Sequence, residues 1–455
     1  MQTIVAIATG VVNSGISIVR VSGDKAFEIS QNCLPKLDVY SMQERYMALT
    51  ELAFGTVKDK AIVVKFVSPK SFTGEDVVEF HLHGSYALAQ KAVEYLISCG
   101  AVLATPGEFS KRAFLNGKLS LEEAEGVVDL INAESEAELN ASYNLMIGKL
   151  KGEIVSLQTK LTDTLAEIEV AIDYPEEDIE YKTQQDVKIL LKEVLDGLQT
   201  LILNSNIGEK IKTGIQVCIV GKPNVGKSSL LNALLNYDKA IVTEIEGTTR
   251  DVVEGSYEFG GVKFNLIDTA GIRESTDKVE KIGIDRAKQM LSSSSVILCV
   301  VDGSSELGEQ DKDVFALVKA YKSKTIVIIK NKADSKNFNN ENMLSYFADF
   351  DKVTSINISA KQKTNIAELK SLLYDLTFAN KLDSNAVYIT NERQVQCLKQ
   401  AQKHLIQALD TIDNVGIDCL SLDIKNAWNE LGKITGKIVT EEVVDAIFSK
   451  FCLGK

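Results

Sequence analysis

Gln216-Val-Cys-Ile-Val-Gly221-Lys-Pro-Asn224-Val225-Gly226-Lys227-Ser228 is the stretch on which the reading of this 455-residue chain turns. A short apolar, β-branched run ends in G-x-x-x-x-G-K-S, and the apolar run SSLLNALLN follows. Strand, glycine-rich loop and helix in that order make a cradle for phosphate. The glycines let backbone N–H groups wrap an anion, and the helix N-terminus adds positive potential. Lys227 reaches the terminal phosphates, and Ser228 offers its hydroxyl to Mg²⁺, a hard ion that prefers oxygen. The candidate contacts are Asn224, Val225, Gly226, Lys227, Ser228 and Ser229.

Three further signals follow in the order that a guanine-nucleotide site needs. Asp268-Thr269-Ala270-Gly271 ends the run KFNLI, where a carboxylate can hold the magnesium shell and a glycine can approach the γ-phosphate. Thr248-Thr249-Arg250-Asp251 lies between the two motifs, in a glycine-flanked stretch suited to ordering on GTP. Asn331-Lys332-Ala333-Asp334 follows TIVIIK, and a carboxylate there accepts from guanine N1–H and the exocyclic amine, which adenine cannot match. Ser359-Ala360-Lys361 follows the next apolar run and can close over the base. Ile272 stands where Ras-like enzymes carry a water-orienting glutamine, so another group must orient water and another source must supply positive charge. Spacing alone leaves Glu280 as a solvated helix carboxylate.

Outward from this unit the pattern changes on both sides. Runs QVCIVG, KFNLID, SVILCVVDG, TIVIIKN and TSINIS alternate with helical stretches over 212–376, which predicts a mostly parallel sheet covered on both faces. Residues 1–118 mix ISIVRVSG, AIVVKFV and DVVEFHLHG with a helix near 85–98, an α+β domain. Ser120-Leu-Glu-Glu123 has capping-box spacing. Beyond it Leu150, Ile154, Leu157, Leu161, Leu165, Ile168 and Ile172 fall on one helical stripe. Helices are expected over 119–211 and again over 377–455, so the nucleotide unit reads as inserted into a helical domain. Near the end, Thr440 is placed to cap a helix with an apolar stripe of Val443, Val444, Ile447, Phe448 and Phe451, which delivers Cys452 and Lys455 to one place.

Composition narrows the function classes. Net charge is −13 and the isoelectric point is near 5.0, which argues against broad non-specific nucleic-acid binding but not against a local basic patch. No apolar run approaches the ~18–20 residues of a membrane span, and the start lacks the basic region of a signal peptide. Seven scattered cysteines without a CxxC pair fit reduced thiols in a cytoplasmic protein. Cys218 and Cys299 read as core residues, the acidic run 173–180 as a solvated helix end, and His81 and His83 as structural or pocket-lining, since no third metal ligand accompanies them.

Taken whole, the chain resembles the MnmE (TrmE) family of tRNA-modification GTPases. The resemblance rests on IVRVSG (18–23), SFTGEDVVEFHLHG (71–84), TPGEFSKRAFLNGKLSLEEAEGVVDLI (105–131), GKPNVGKSSLLNAL, EGTTRDV, DTAGIRESTDKVEKIGI and the terminal FCLGK (451–455). The chain departs from the family in Leu453, where isoleucine is usual, and in ATGVVNSG, where a proline- and glycine-rich loop is common. The resemblance implies a multidomain α/β and α protein. It has an N-terminal folate-binding and dimerisation domain, a helical domain and an inserted Ras-like G domain. It implies activation by K⁺, held by Asn224 and by Thr243, Glu244, Ile245, Glu246, Gly247 and Thr248, when two G domains pair. The ion's ligands would be Asn224, Thr243, Ile245 and Thr248. Thr249 would complete the Mg²⁺ shell with Ser228, and Glu280 matches the water-orienting glutamate. Arg20, Glu79 and Lys118 fall on tetrahydrofolate positions, their individual roles left open, and Cys452 and Lys455 would stand beside the folate one-carbon unit. The implied partners are a second copy of the chain, the FAD-dependent MnmG (GidA) and tRNA. Against this stands an Era-like ribosome-assembly or regulatory switch, which explains the G motifs but not TGEDVVE, FLNGKLSL or FCLGK.

Overall fold

A computed structural model describes residues 2–173, 184–235, 255–268, 288–339, 343–347, 349–350, 352–378, 382–413 and 417–454. The acidic run at 174–180, Thr243 to Thr249, Thr269 to Gly271, Glu280 and Lys455 lie outside the described residues. The chain forms two compact units. One comprises Met1–Val128, Asn144–Gln199 and Gln396–Lys455, the other Asp129–Tyr143 and Thr200–Val395.

The first unit holds β1 (Ile4–Ile7), β2 (Ile16–Ser22), β3 (Ala48–Phe54), β4 (Val57–Phe66), β5 (Val77–His83) and β6 (Val102–Leu103), with helices α1 (Ala26–Gln31), α2 (Tyr86–Ser98) and α3 (Glu108–Leu115). The sheet order is β3-β4-β5-β2-β1-β6, antiparallel except for β1 with β6. The period of two sorts its residues. Val19, Val21, Val78 and Phe80 enter the core under α1 and α2, which leaves Arg20, Glu79 and His81 on the opposite face.

Four helices follow: α4 (Leu121–Asn132), α5 (Glu136–Met146), α6 (Lys149–Asp173) and α7 (Gln184–Thr213). The α6 stripe is buried as its spacing requires, through Leu150, Ile154, Leu157, Leu161 and Ile168. Half of the anticipated capping box forms: the Ser120 N–H donates to Glu123 Oε2 at 2.7 Å, while the Ser120 hydroxyl has no partner.

In the second unit β7 (Ile215–Val220), β8 (Gly255–Phe259), β9 (Val262–Asp268), β10 (Val296–Asp302), β11 (Thr325–Asn331) and β12 (Val353–Asn357) form a sheet, with α8 (Lys227–Leu235), α9 (Glu309–Lys319) and α10 (Ile366–Thr377). The order β12-β11-β10-β7-β9-β8 is parallel except for the antiparallel edge strand β8, which its half-polar sequence Gly255-Ser-Tyr-Glu-Phe259 did not announce. Successive residues point to two cores: Val217, Leu298 and Val327 to one face, Cys218, Ile297, Cys299 and Ile328 to the other. From β7 the chain goes first to the β9 side and later to the β10 side. The loop after β7 therefore opens at the switch point of the sheet, where such folds bind ligands.

The chain closes with α11 (Glu392–Thr411), α12 (Ile417–Thr435) and α13 (Glu441–Phe448). Trp428 on α12 donates from Nε1 to the Thr162 hydroxyl at 3.0 Å and accepts at its carbonyl from Gln158, pinning α12 to α6. Thr440 takes the N-cap position of α13, but its side chain makes no capping bond. The stripe is narrower than its spacing suggested: Val444, Phe448 and Phe451 are buried with Leu121 and Ala124, whereas Val443 faces solvent.

Candidate functional site

The phosphate loop is shaped by its own backbone. Asn224 and Gly226 hold positive φ of 65° and 99°, which turns the chain tightly between β7 and α8. Lys227 is buried, and its ammonium donates to the carbonyls of Gly221 and Lys222 at 2.9 Å each. Those bonds hold the lysine across the loop it serves. Ser228 and Ser229 are exposed at the start of α8, so the Ser228 hydroxyl is open to an ion. Lys222 pairs with Asp311 at 2.6 Å and ties the loop to α9.

The guanine motifs are joined to this loop by one side chain. Asn331 Nδ2 donates to the Val225 carbonyl at 2.8 Å, and its Oδ1 accepts from the Ala360 N–H at 3.0 Å. Asp334 accepts from the Ser359 hydroxyl at 2.6 Å, and that bond, foremost, holds its carboxyl below the ordinary range. The Ala333 N–H donates to Ile358 O at 3.0 Å, which brings the two guanine segments side by side. Asp268 ends β9, beside Ile219 of β7 in register. Sequence reading missed Asp302. It ends β10 opposite Asn331, with its Oδ2 at 2.5 Å from the Lys332 ammonium. Burial opposes its ionisation, but hydrogen bonds from Lys332 and Ser304 prevail and hold its carboxyl below the usual value. The available signal was a buried apolar strand ending in an aspartate, the pattern already noticed at Asp268.

A second constellation lies in the first unit, on the face of its sheet opposite α1 and α2. The strand register places Arg20 opposite Glu79, and the guanidinium donates to Glu79 Oε1 at 2.7 Å. His81 Nε2 stands 3.3 Å from Glu79 Oε2, as a polar partner in the site. Burial raises the Glu79 carboxyl, yet His81 and Arg20 outweigh it and keep it ionised. Arg20 also lies over the rings of Phe72 and Phe109, at 5.8 and 5.5 Å, and its Nη1 reaches the Gly454 carbonyl at 3.5 Å. That contact brings the C-terminal segment to the pair. Gly454 has φ of 88°, and a Cβ there would collide with the Ile7 carbonyl, so only glycine lets the chain end lie against β1. Cys452 is exposed, and its carbonyl accepts from the Gly107 N–H at 3.3 Å.

The turn Phe72-Thr73-Gly74-Glu75 connects the parts. Phe72 lies under Arg20, the Thr73 carbonyl accepts from Asn116 at 2.7 Å, and Gly74 leaves room for the Lys118 stem. Glu75 takes Arg112 at 3.1 Å, and Arg112 in turn holds Glu108 at 2.7 Å, a buried network that sequence reading did not find. Lys118 itself is exposed, free to meet an anion. No group of three metal-ligating side chains occurs among the described residues, and none of their helices is long and apolar enough to cross a membrane.

Comparison with known proteins adds the following. A family model described as the MnmE helical domain matches residues 121–452, and one described as GTP-binding protein TrmE N-terminus matches residues 3–118. A protein of Clostridioides difficile (strain 630) named tRNA modification GTPase MnmE is 38% identical over 462 residues, which is 100% of this chain and 99% of that protein. One of the same name from Bacillus mycoides (strain KBAB4) is 39% identical over 467 residues, again 100% and 99%. Among solved structures, an Aquifex aeolicus Era variant bound to GDP.AlF4- is 26% identical. It aligns over 42% of this chain and 66% of its own with a TM-score of 0.28.

Proposed function

The chain belongs to the MnmE family of tRNA-modification GTPases, and from that membership we propose that it hydrolyses GTP with K⁺ as activating cation. In this reading the GTPase cycle serves the addition of a (carboxymethyl)aminomethyl group to C5 of the tRNA wobble uridine, alongside the FAD-dependent MnmG. One observation supports the nucleotide part of it: Asn331 bonds at once to the phosphate loop and to the segment beside Asp334, a single frame that would hold triphosphate and base together. The G domain spans 212–376, inserted between helical segments 119–211 and 377–455, after an N-terminal domain of 1–118. Two copies pair through their G domains.

Within the site, Lys227 neutralises the terminal phosphates and Asp334 selects guanine. Ser228 and Thr249 would hold Mg²⁺, which would offset the negative charge of the phosphates. Asn224, Thr243, Ile245 and Thr248 would hold K⁺, which supplies positive charge where negative charge develops. Asn224 is exposed at the turn of the loop and fits such a role. Glu280 orients the attacking water. Turnover in K⁺ is expected to exceed turnover in Na⁺ by about tenfold or more. Glu280→Ala is expected to lose that stimulation. Equal rates in the two salts would refute the cation's role, and full stimulation of the variant would refute that of Glu280.

The first unit would take a reduced folate. Arg20 and Lys118 suit its glutamate tail and Glu79 suits its pterin amines, since the donor set pairs cations with a carboxylate kept ionised. Cys452 and Lys455 would lie beside the one-carbon unit, whose chemistry is the cofactor's. Arg20→Ala should weaken binding of 5-formyltetrahydrofolate about tenfold by calorimetry, the scale of one lost charged hydrogen bond. An Era-like switch predicts no folate binding by the unaltered chain, so that titration separates the two readings.

A further inference from the structure

Lys332 is the residue of the guanine segment whose side chain has the most unusual setting. It sits at φ of 66°, and four of the five non-glycine residues with positive φ among the described residues lie in the nucleotide loops: Asn224, Lys332, Lys363 and Asn365. Non-glycine residues keep that conformation only where their surroundings enforce it, commonly at ligand sites. The Lys332 turn is enforced by the Ala333 N–H on Ile358 O and by the Ser335 N–H on Lys332 O at 2.9 Å. Its ammonium is then held at the far end of the stem by Asp302, at 2.5 Å. A flexible four-carbon chain is thereby fixed at both ends, yet 40% of the side chain stays exposed.

Asp302 is itself immobilised. Its Oδ1 accepts from the Ser304 N–H at 2.9 Å and from the Ser304 hydroxyl at 2.6 Å, leaving Oδ2 for the lysine. The next residue, Gly303, donates to Asn331 O at 2.9 Å and accepts from the Asn339 N–H at 2.7 Å. A Cβ on Gly303 would collide with the Phe338 ring, so only glycine lets the end of β10 lie this close to the guanine segment. The carboxylate is 14% exposed.

We propose that Asp302 is a positioning residue for the nucleobase. By anchoring the Lys332 ammonium it keeps the lysine's hydrocarbon stem stretched as a flat apolar platform for one face of the purine, two residues from Asp334. Without the anchor the ammonium returns to water and the stem regains its rotamers, an entropy that binding must then remove. Asp302 acts on binding alone, since it stands at the base and not at the phosphates. This deepens the guanine-site reading above and rests on it.

The test uses the full chain and fluorescent GDP, with dissociation followed by stopped flow. Asp302→Ala and Asp302→Asn should each raise Kd about tenfold, about 1.4 kcal/mol, through faster release. The loss should be equal for GDP and IDP, because Asp334 alone reads the exocyclic amine. Turnover at saturating GTP should stay within about twofold of the unaltered chain. In a Lys332→Ala background the Asp302→Ala change should add less than about twofold, because the two residues act as one unit. Asp302→Asn keeps the volume and the acceptor for Ser304, so it reports even if the alanine variant folds poorly. Release rates equal to those of the unaltered chain, or losses that multiply in the double variant, would overturn the proposal. Failure of the unaltered chain to bind GDP would instead strike the guanine-site reading itself.

Discussion

Gly226→Ala is expected to reduce affinity for GTP and GDP about 10²–10³-fold. Two costs combine. The first is backbone: φ at Gly226 is 99°, a region that a Cβ makes unfavourable by about 1–2 kcal/mol. The second is the junction. A Cβ at this position runs into Asn331 Nδ2, the atom that donates to the Val225 carbonyl. Asn331 and Val225 are both buried, so displacing the amide leaves polar groups without partners at about 1–3 kcal/mol. The Ala360 N–H loses its acceptor in the same movement. Together these cost roughly 2–5 kcal/mol, a range whose middle is about 10²–10³ in affinity. Equilibrium titration with a fluorescent guanine nucleotide measures the loss. Binding within about threefold of the unaltered chain would mean that the phosphate and guanine segments do not depend on one another.

That dependence marks the limit of what the sequence discloses. Phosphate and guanine motifs are local: each needs only a few neighbouring residues after an apolar run, and β7, β10 and β11 were readable because strands buried on both faces are continuously apolar. β8 was not readable, since an edge strand need bury only part of itself. The side chains that join the motifs were hidden for another reason. Asp302 meets Lys332 only because β10 and β11 pair in register, and Arg20 meets Glu79 only because β2 and β5 do. The Arg20 position came from family resemblance, and its tie to Gly454 at the other end of the chain is a matter of folding alone. Cap positions were legible at Ser120 and Thr440, but which capping bonds form depends on what packs around them.

The second large effect concerns a group that neither site uses. Glu122, in the first turn of α4, is fully buried, and neither carboxylate oxygen makes a hydrogen bond of good geometry. Burial pushes its carboxyl up to about 7, and Glu123 adds to this, while Ser120 and Lys151 pull the other way too weakly to offset it. In the unfolded chain the same group titrates near 4.5. The folded state thus holds the proton more tightly. Its stability advantage from Glu122 is complete below pH 4.5, declines as pH rises through 7, and leaves above that a deficit of about 3 kcal/mol. Glu122→Met, close in volume and without charge, should therefore stabilise the first unit by about 3 kcal/mol or more at pH 8. Between pH 8 and pH 5 the gap between variant and unaltered chain should shrink by about 2–3 kcal/mol, because the native carboxyl is then protonated. Urea unfolding at the two pH values measures it, followed by the fluorescence of Trp428. That residue is the one tryptophan of the chain and lies in the same unit as Glu122. Taking the difference between two chains at each pH cancels every other titrating group. A gap that stayed constant with pH would show that the carboxylate keeps its solution pKa in the fold, and so that water or a neighbouring donor reaches it there.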